Sequence, residues 1–83
     1  MCVINIDIQT EKDLYFVITN TILSLDKDVF TVDYVIRVLK GNNINEDIPV
    51  VKGRLKRSVE ICIQNLIEHG KVIEEPRKYQ LAK

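Results

Sequence analysis

The residues able to carry covalent or metal chemistry are few in this sequence, and they do not cluster. There is one histidine, His69, and there are two cysteines, Cys2 and Cys62. His69 has no cysteine or carboxylate neighbours at metal-ligand spacing, and its place in the last turn of a helix is one where a cationic side chain is favoured by the helix dipole. Cys62 falls on an apolar helical stripe, the setting of a buried free thiol. A disulfide to Cys2 is allowed by count and disfavoured by that setting. Glu74 and Glu75 adjoin each other at the end of a predicted strand, where neighbouring side chains point to opposite faces, so they are not expected to share a centre. The sequence also lacks a Gly-rich phosphate loop, a metal-spaced Cys/His set and a Ser/His/Asp or Cys/His constellation. No enzymatic activity and no cofactor or metal is expected.

What the sequence does concentrate is positive charge. The formal net charge is zero, but it is the cancellation of two unlike halves. Residues 1–51 hold eight acidic side chains against four basic ones, while residues 52–83 hold eight basic (Lys52, Arg54, Lys56, Arg57, Lys71, Arg77, Lys78, Lys83) against four acidic. Such asymmetry points to a surface facing a polyanion.

The element that must position those cations is a helix within Val51–Gly70. At about 100° per residue, Leu55, Val59, Cys62, Ile63 and Leu66 fall on one side, with Ile67 at its margin. The opposite side is expected to carry Arg54, Arg57, Ser58, Ile61, Gln64 and Asn65. Gly70 is the expected stop, since glycine takes the left-handed conformation without steric cost. Beyond it, Lys71–Glu74 and Lys78–Leu81 read as two short strands joined around Pro76. The start of the helix is less sharply marked: a range of 50–69 opens at Asp47 or Pro49, whereas Gly53 favours a start near Arg54.

Upstream, Cys2, Ile4, Ile6 and Ile8 alternate with Val3, Asn5 and Asp7, the period of a half-buried strand. That strand could close the domain, pair with a second copy, or lie over the core as an arm. Thr10 reads as a cap for a first helix over 10–25, with Leu14, Val17, Ile18, Ile22 and Leu25 on its apolar face. Tyr15, Phe16 and Leu23 lie off that face, either widening the core contact or serving self-association. Val29–Phe30 is a short extended pair, Thr31 caps a second helix over 32–40, and Gly41 is its expected stop. Residues 42–49 read as a loop. At 83 residues the length suits one domain with a modest core. No apolar run approaches the roughly 20 residues of a membrane span. No signal-peptide pattern opens the sequence, so a cytoplasmic location is expected.

Helix, short strand, helix, loop, helix and hairpin is an order that resembles the winged-helix family from Thr10 onward. The most telling stretch is Leu66–Ile73, which looks like the end of a recognition helix running through a glycine into the first wing strand. The resemblance implies an α+β fold of three helices plus a wing and, with it, a small DNA-binding regulator or accessory factor. The third helix would then enter the major groove, and the wing, with Arg77 and Lys78 at its tip, would lie on the backbone. In that reading Arg54 and Arg57 reach phosphate or guanine, Gln64 and Asn65 match adenine, Ile61 meets a thymine methyl, and Ser58 lies on the same face. Lys52, Lys56, Arg77 and Lys78 hold phosphates, and Lys71 belongs to the same DNA-binding set. Double-stranded DNA is thus the expected partner, with a homodimer through the N-terminal strand or first helix as a further expectation. The stretches Leu66–Ile67, Val72–Glu74 and Tyr79–Ala82 are similar as well to the winged-helix tail of cullin scaffold proteins, so a protein-contact module without DNA binding is the alternative.

Overall fold

The computed structural model describes residues 8–42, 44 and 46–82. The expected N-terminal strand lies outside these residues except at its end, where Ile8 is buried in the core and Gln9 is exposed. The described elements run α1 (Glu11–Leu23), β1 (Val29–Phe30), α2 (Val32–Gly41), α3 (Leu55–Glu68), β2 (Val72–Glu74) and β3 (Tyr79–Leu81). The result is a small α+β fold of three helices and a three-stranded antiparallel sheet in the order β1-β3-β2.

Local chemistry accounts for most of the boundaries. At the start of α1, the Thr10 hydroxyl accepts from the Asp13 N–H at 3.2 Å while the Asp13 carboxylate accepts from the Thr10 N–H at 3.3 Å, a reciprocal capping box. Thr31 caps α2 through the Tyr34 N–H at 3.1 Å. Gly41, the expected stop of α2, is instead its last helical residue. The cap is Asn42 at φ −90°, and the Ile44 N–H closes the end on the Leu39 carbonyl at 3.2 Å. Burial of Ile44 holds that closure without needing a left-handed glycine at position 41.

The third helix starts later than the range 50–69. Residues 46–54 form successive turns, and Gly53 sits in one of them at φ 71°, its neighbour Arg54 donating from its N–H to the Val51 carbonyl at 2.9 Å. Glycine is therefore used here for its positive φ and not tolerated inside a helix. At the other end Gly70, φ 72°, completes a Schellman closure: its N–H reaches the Ile67 carbonyl at 3.0 Å and the Lys71 N–H reaches the Leu66 carbonyl at 2.8 Å.

The core is the meeting of three helical stripes under the sheet. Leu14, Val17, Ile18 and Ile22 of α1, Val35 and Leu39 of α2, and Leu55, Val59, Cys62, Ile63 and Leu66 of α3 are all buried. Phe30 and Val72 bring the sheet onto this mass, with the Phe30 and Tyr79 ring centroids 5.8 Å apart. Tyr15 packs against the core, which settles it as a core-widening residue, whereas Phe16 and Leu23 remain exposed, seven residues apart on α1. No helix among the described residues is long and apolar enough to cross a membrane.

Gly70→Ala forces an L-residue into the left-handed region and is expected to cost about 1–2 kcal/mol, whereas Gly41→Ala, with open space at its Cβ and an ordinary helical φ, is expected to stabilise by up to about 1 kcal/mol. Urea unfolding of the two variants checks this; equal effects at both glycines would contradict the geometry.

Candidate functional site

The N-terminus of α3 differs from those of the other helices. α1 and α2 each have a threonine cap and acidic residues in the first turn, whereas α3 has Arg54 at its cap position, no side-chain cap bond and no acidic first-turn residue. Lys52, Arg54, Lys56 and Arg57 are all exposed around this end. Because a helix N-terminus is itself partly positive, cations here oppose the dipole and favour an external anion.

The candidate residues divide between two concavities and an outer stripe. Lys56 shares a concavity with Arg77 and Lys78, which arrive on the hairpin between β2 and β3. That hairpin is tight: the Glu75 N–H donates to the Lys78 carbonyl at 3.0 Å, so Pro76 and Arg77 alone form its tip. Asp33, Glu74 and Glu75 line the same concavity, and Glu75 pairs with Lys78 at 3.6 Å. Positive charge from two elements does converge here, with carboxylates interleaved.

Arg54 and Arg57 border a second concavity, between α1 and α3, together with Ser58 and Ile61. Arg54 is held there by Glu11 at 3.1 Å. Two expectations need correction. Ser58 does not lie on an outward face but is buried, 5% exposed, because it stands three residues after Leu55 and four before Cys62, both core positions. Ile61 is half-buried and turned to the cavity it shares with Tyr15 and Val50, not presented on the outermost stripe. Gln64 and Asn65 are exposed, and Glu60 and Glu68 are exposed on the same helix. Lys71 is exposed just before β2.

Ion pairs among the described residues are Lys40–Glu46, Arg54–Glu11 and Lys78–Glu75. Lys52, Lys56, Arg57, Lys71 and Arg77 belong to none of them. No family model, curated protein or solved structure matches this chain.

Sequence reasoning missed Glu11, Tyr15 and Val50 as neighbours of the cationic end. The Glu11–Arg54 pair spans 43 residues, a separation at which no periodicity signals contact. The Glu75–Lys78 pair, three residues apart, had a local signal.

Among the described residues, neither the Cys62 thiol nor the His69 imidazole is arranged for nucleophilic chemistry. Cys62 is buried, its Sγ donates to the Tyr15 carbonyl at 3.6 Å, and burial pushes its pKa up. His69 caps its own helix, with Nδ1 at 2.7 Å from the Asn65 carbonyl, which requires the proton on Nδ1. Groups of three or more metal-ligating side chains are absent among the described residues. In a Cys2→Ser background, Cys62 is expected to react with a thiol reagent at least about a hundredfold more slowly in the folded than in the urea-unfolded chain. The raised folded-state pKa adds a sign: its contribution to stability is present below the ordinary thiol range and is lost as pH rises through the folded value. Rapid native labelling would overturn this placement.

Proposed function

We propose that this chain is a winged-helix module that binds double-stranded DNA, acting as a small regulator or accessory factor. The N-terminal half of α3 enters the major groove and the Pro76–Arg77 hairpin lies on the adjacent backbone. The observation that carries the reading is the shared concavity of Lys56 with Arg77 and Lys78, which brings cations of the helix start and the hairpin to one surface. The order of helices and strands and the β1-β3-β2 sheet also support it.

The footprint is narrower than the full outward stripe. Glu60, in the middle of α3, and Glu68, at its end, repel phosphate beyond the first turn, so Arg57 and Lys56 dominate, with Lys52, Lys71 and Arg77 as further phosphate contacts. Gln64 is the base-reading candidate further along the helix, and Asn65 is a flanking one. Ser58, being buried, drops out of the contact set.

A protein-contact role is the second reading. It is favoured by the outer face of the sheet, where Val29 and Ile73 both pair with Gln80 and are 41% and 51% exposed. Substituting Asp at these two positions leaves DNA retention intact under the first reading, and abolishes partner capture under the second.

A mobility-shift titration on mixed-sequence duplex tests the DNA reading. With about five phosphate contacts, the logarithm of affinity should fall against the logarithm of salt with a slope of about −4 to −5. Arg57→Glu should remove binding while stabilising the fold by about 0.3–1 kcal/mol, since a carboxylate in the first turn suits the dipole. That opposite sign separates lost contact from lost folding. Glu75→Gln, which releases Lys78, should raise affinity about twofold to threefold. No retention at 50 mM salt, or wild-type affinity in Arg57→Glu, would overturn the proposal.

A further inference from the structure

The cavity between α1 and α3 has a volume of about 360 Å³, within the range of small-molecule sites. Its walls are two facing helical stripes, Glu11 and Tyr15 on α1 and Arg54, Ser58 and Ile61 on α3, with Val50 closing one side. The deciding residue is Ser58. It is only 5% exposed, and its hydroxyl makes no hydrogen bond to a described residue. Every fully buried polar side-chain atom in the described chain has a partner. The Ser58 oxygen therefore keeps an open side, and the space bordering Ser58 is this cavity.

Charge at the rim narrows the ligand. Arg54 and Glu11 neutralise each other at 3.1 Å, which leaves Arg57 as the one uncompensated ion among the lining residues. The rest of the wall is apolar or aromatic: Val50, Ile61 and the Tyr15 ring. We infer that the cavity between α1 and α3 binds a small monocarboxylate with a compact apolar body. The carboxylate lies against Arg57 and accepts from the Ser58 hydroxyl, and the body rests on Tyr15, Val50 and Ile61. A neutral apolar molecule would leave the buried Ser58 hydroxyl without a partner and the Arg57 charge unused, and phosphate would carry more charge than one free arginine offsets while leaving the apolar wall wet.

The site shares Arg57 with the proposed DNA footprint but does not rest on that reading, and its test uses no nucleic acid. Benzoate is titrated into the full isotope-labelled chain at constant ionic strength, with amide shifts as readout. Saturable shifts at Tyr15, Val50, Ser58 and Ile61 are expected, with benzyl alcohol binding about tenfold more weakly. Arg57→Gln should weaken benzoate about tenfold, and Ser58→Ala about fivefold. Ser58→Ala should at the same time hold or raise the melting temperature, because alanine suits the helix better and removes an unbonded hydroxyl. Non-saturating shifts, shifts scattered over Lys52, Lys71 and Arg77 as with inorganic phosphate, equal binding of benzyl alcohol, or an unaffected Ser58→Ala would each overturn the inference.

Discussion

The fold depends on burying one face of α3 against three different surfaces at once. Leu55, Val59, Cys62, Ile63 and Leu66 lie between α1, α2 and β2, so this helix is the common wall of the core. Each fully buried aliphatic side chain contributes on the order of 1.5–3 kcal/mol. In a chain of this size no other element could replace that contribution. Because the stripe is fixed by burial, the directions of the remaining side chains follow: Gln64 outward, Lys56 toward the hairpin, Ser58 and Ile61 toward α1, and Arg57 at the rim of the cavity on that side.

That division gives a single helix two unlike flanks. The hairpin flank is an open concavity in which three cations, Lys56, Arg77 and Lys78, face three carboxylates, Asp33, Glu74 and Glu75. The α1 flank is smaller and drier, and its one ion pair, Glu11–Arg54, is half exposed and worth well under 1 kcal/mol by itself. Arg57 stands between them. The interleaved carboxylates Asp33, Glu74 and Glu75 lower the field at the hairpin flank, and place the weight of any phosphate contact on the start of α3.

Much of this was legible in the sequence, for reasons that are local. The Thr10 and Thr31 caps and the Gly70 stop rest on interactions within about five residues, the β2 and β3 segments pair across at most nine, and the core stripe of α3 repeats with the helical period, so residue type and spacing suffice. What failed was either a residue judged by type or a contact made at long range. Ser58 reads as outward because it is polar, yet its angle between Leu55 and Cys62 places it inside; angle outweighs type for a small side chain. Gly53 points to a helix start near Arg54, and the helix does begin there with Arg54 as its cap; only the range opening at 50 is too early. Ile61 has its company, Tyr15 and Val50, from parts of the chain that no repeat connects to it.

The closure at Gly70 bears on motion as well as on helix length. Two main-chain bonds lock the last turn of α3 to Gly70 and Lys71, and the Ala82 N–H returns to the Lys71 carbonyl at 2.9 Å, so the helix passes into the sheet with no slack residue. Helix and hairpin are thus welded into one rigid lever. A tilt imposed at Arg57 swings Arg77 through the same arc, and any object gripped by both must already have the right spacing.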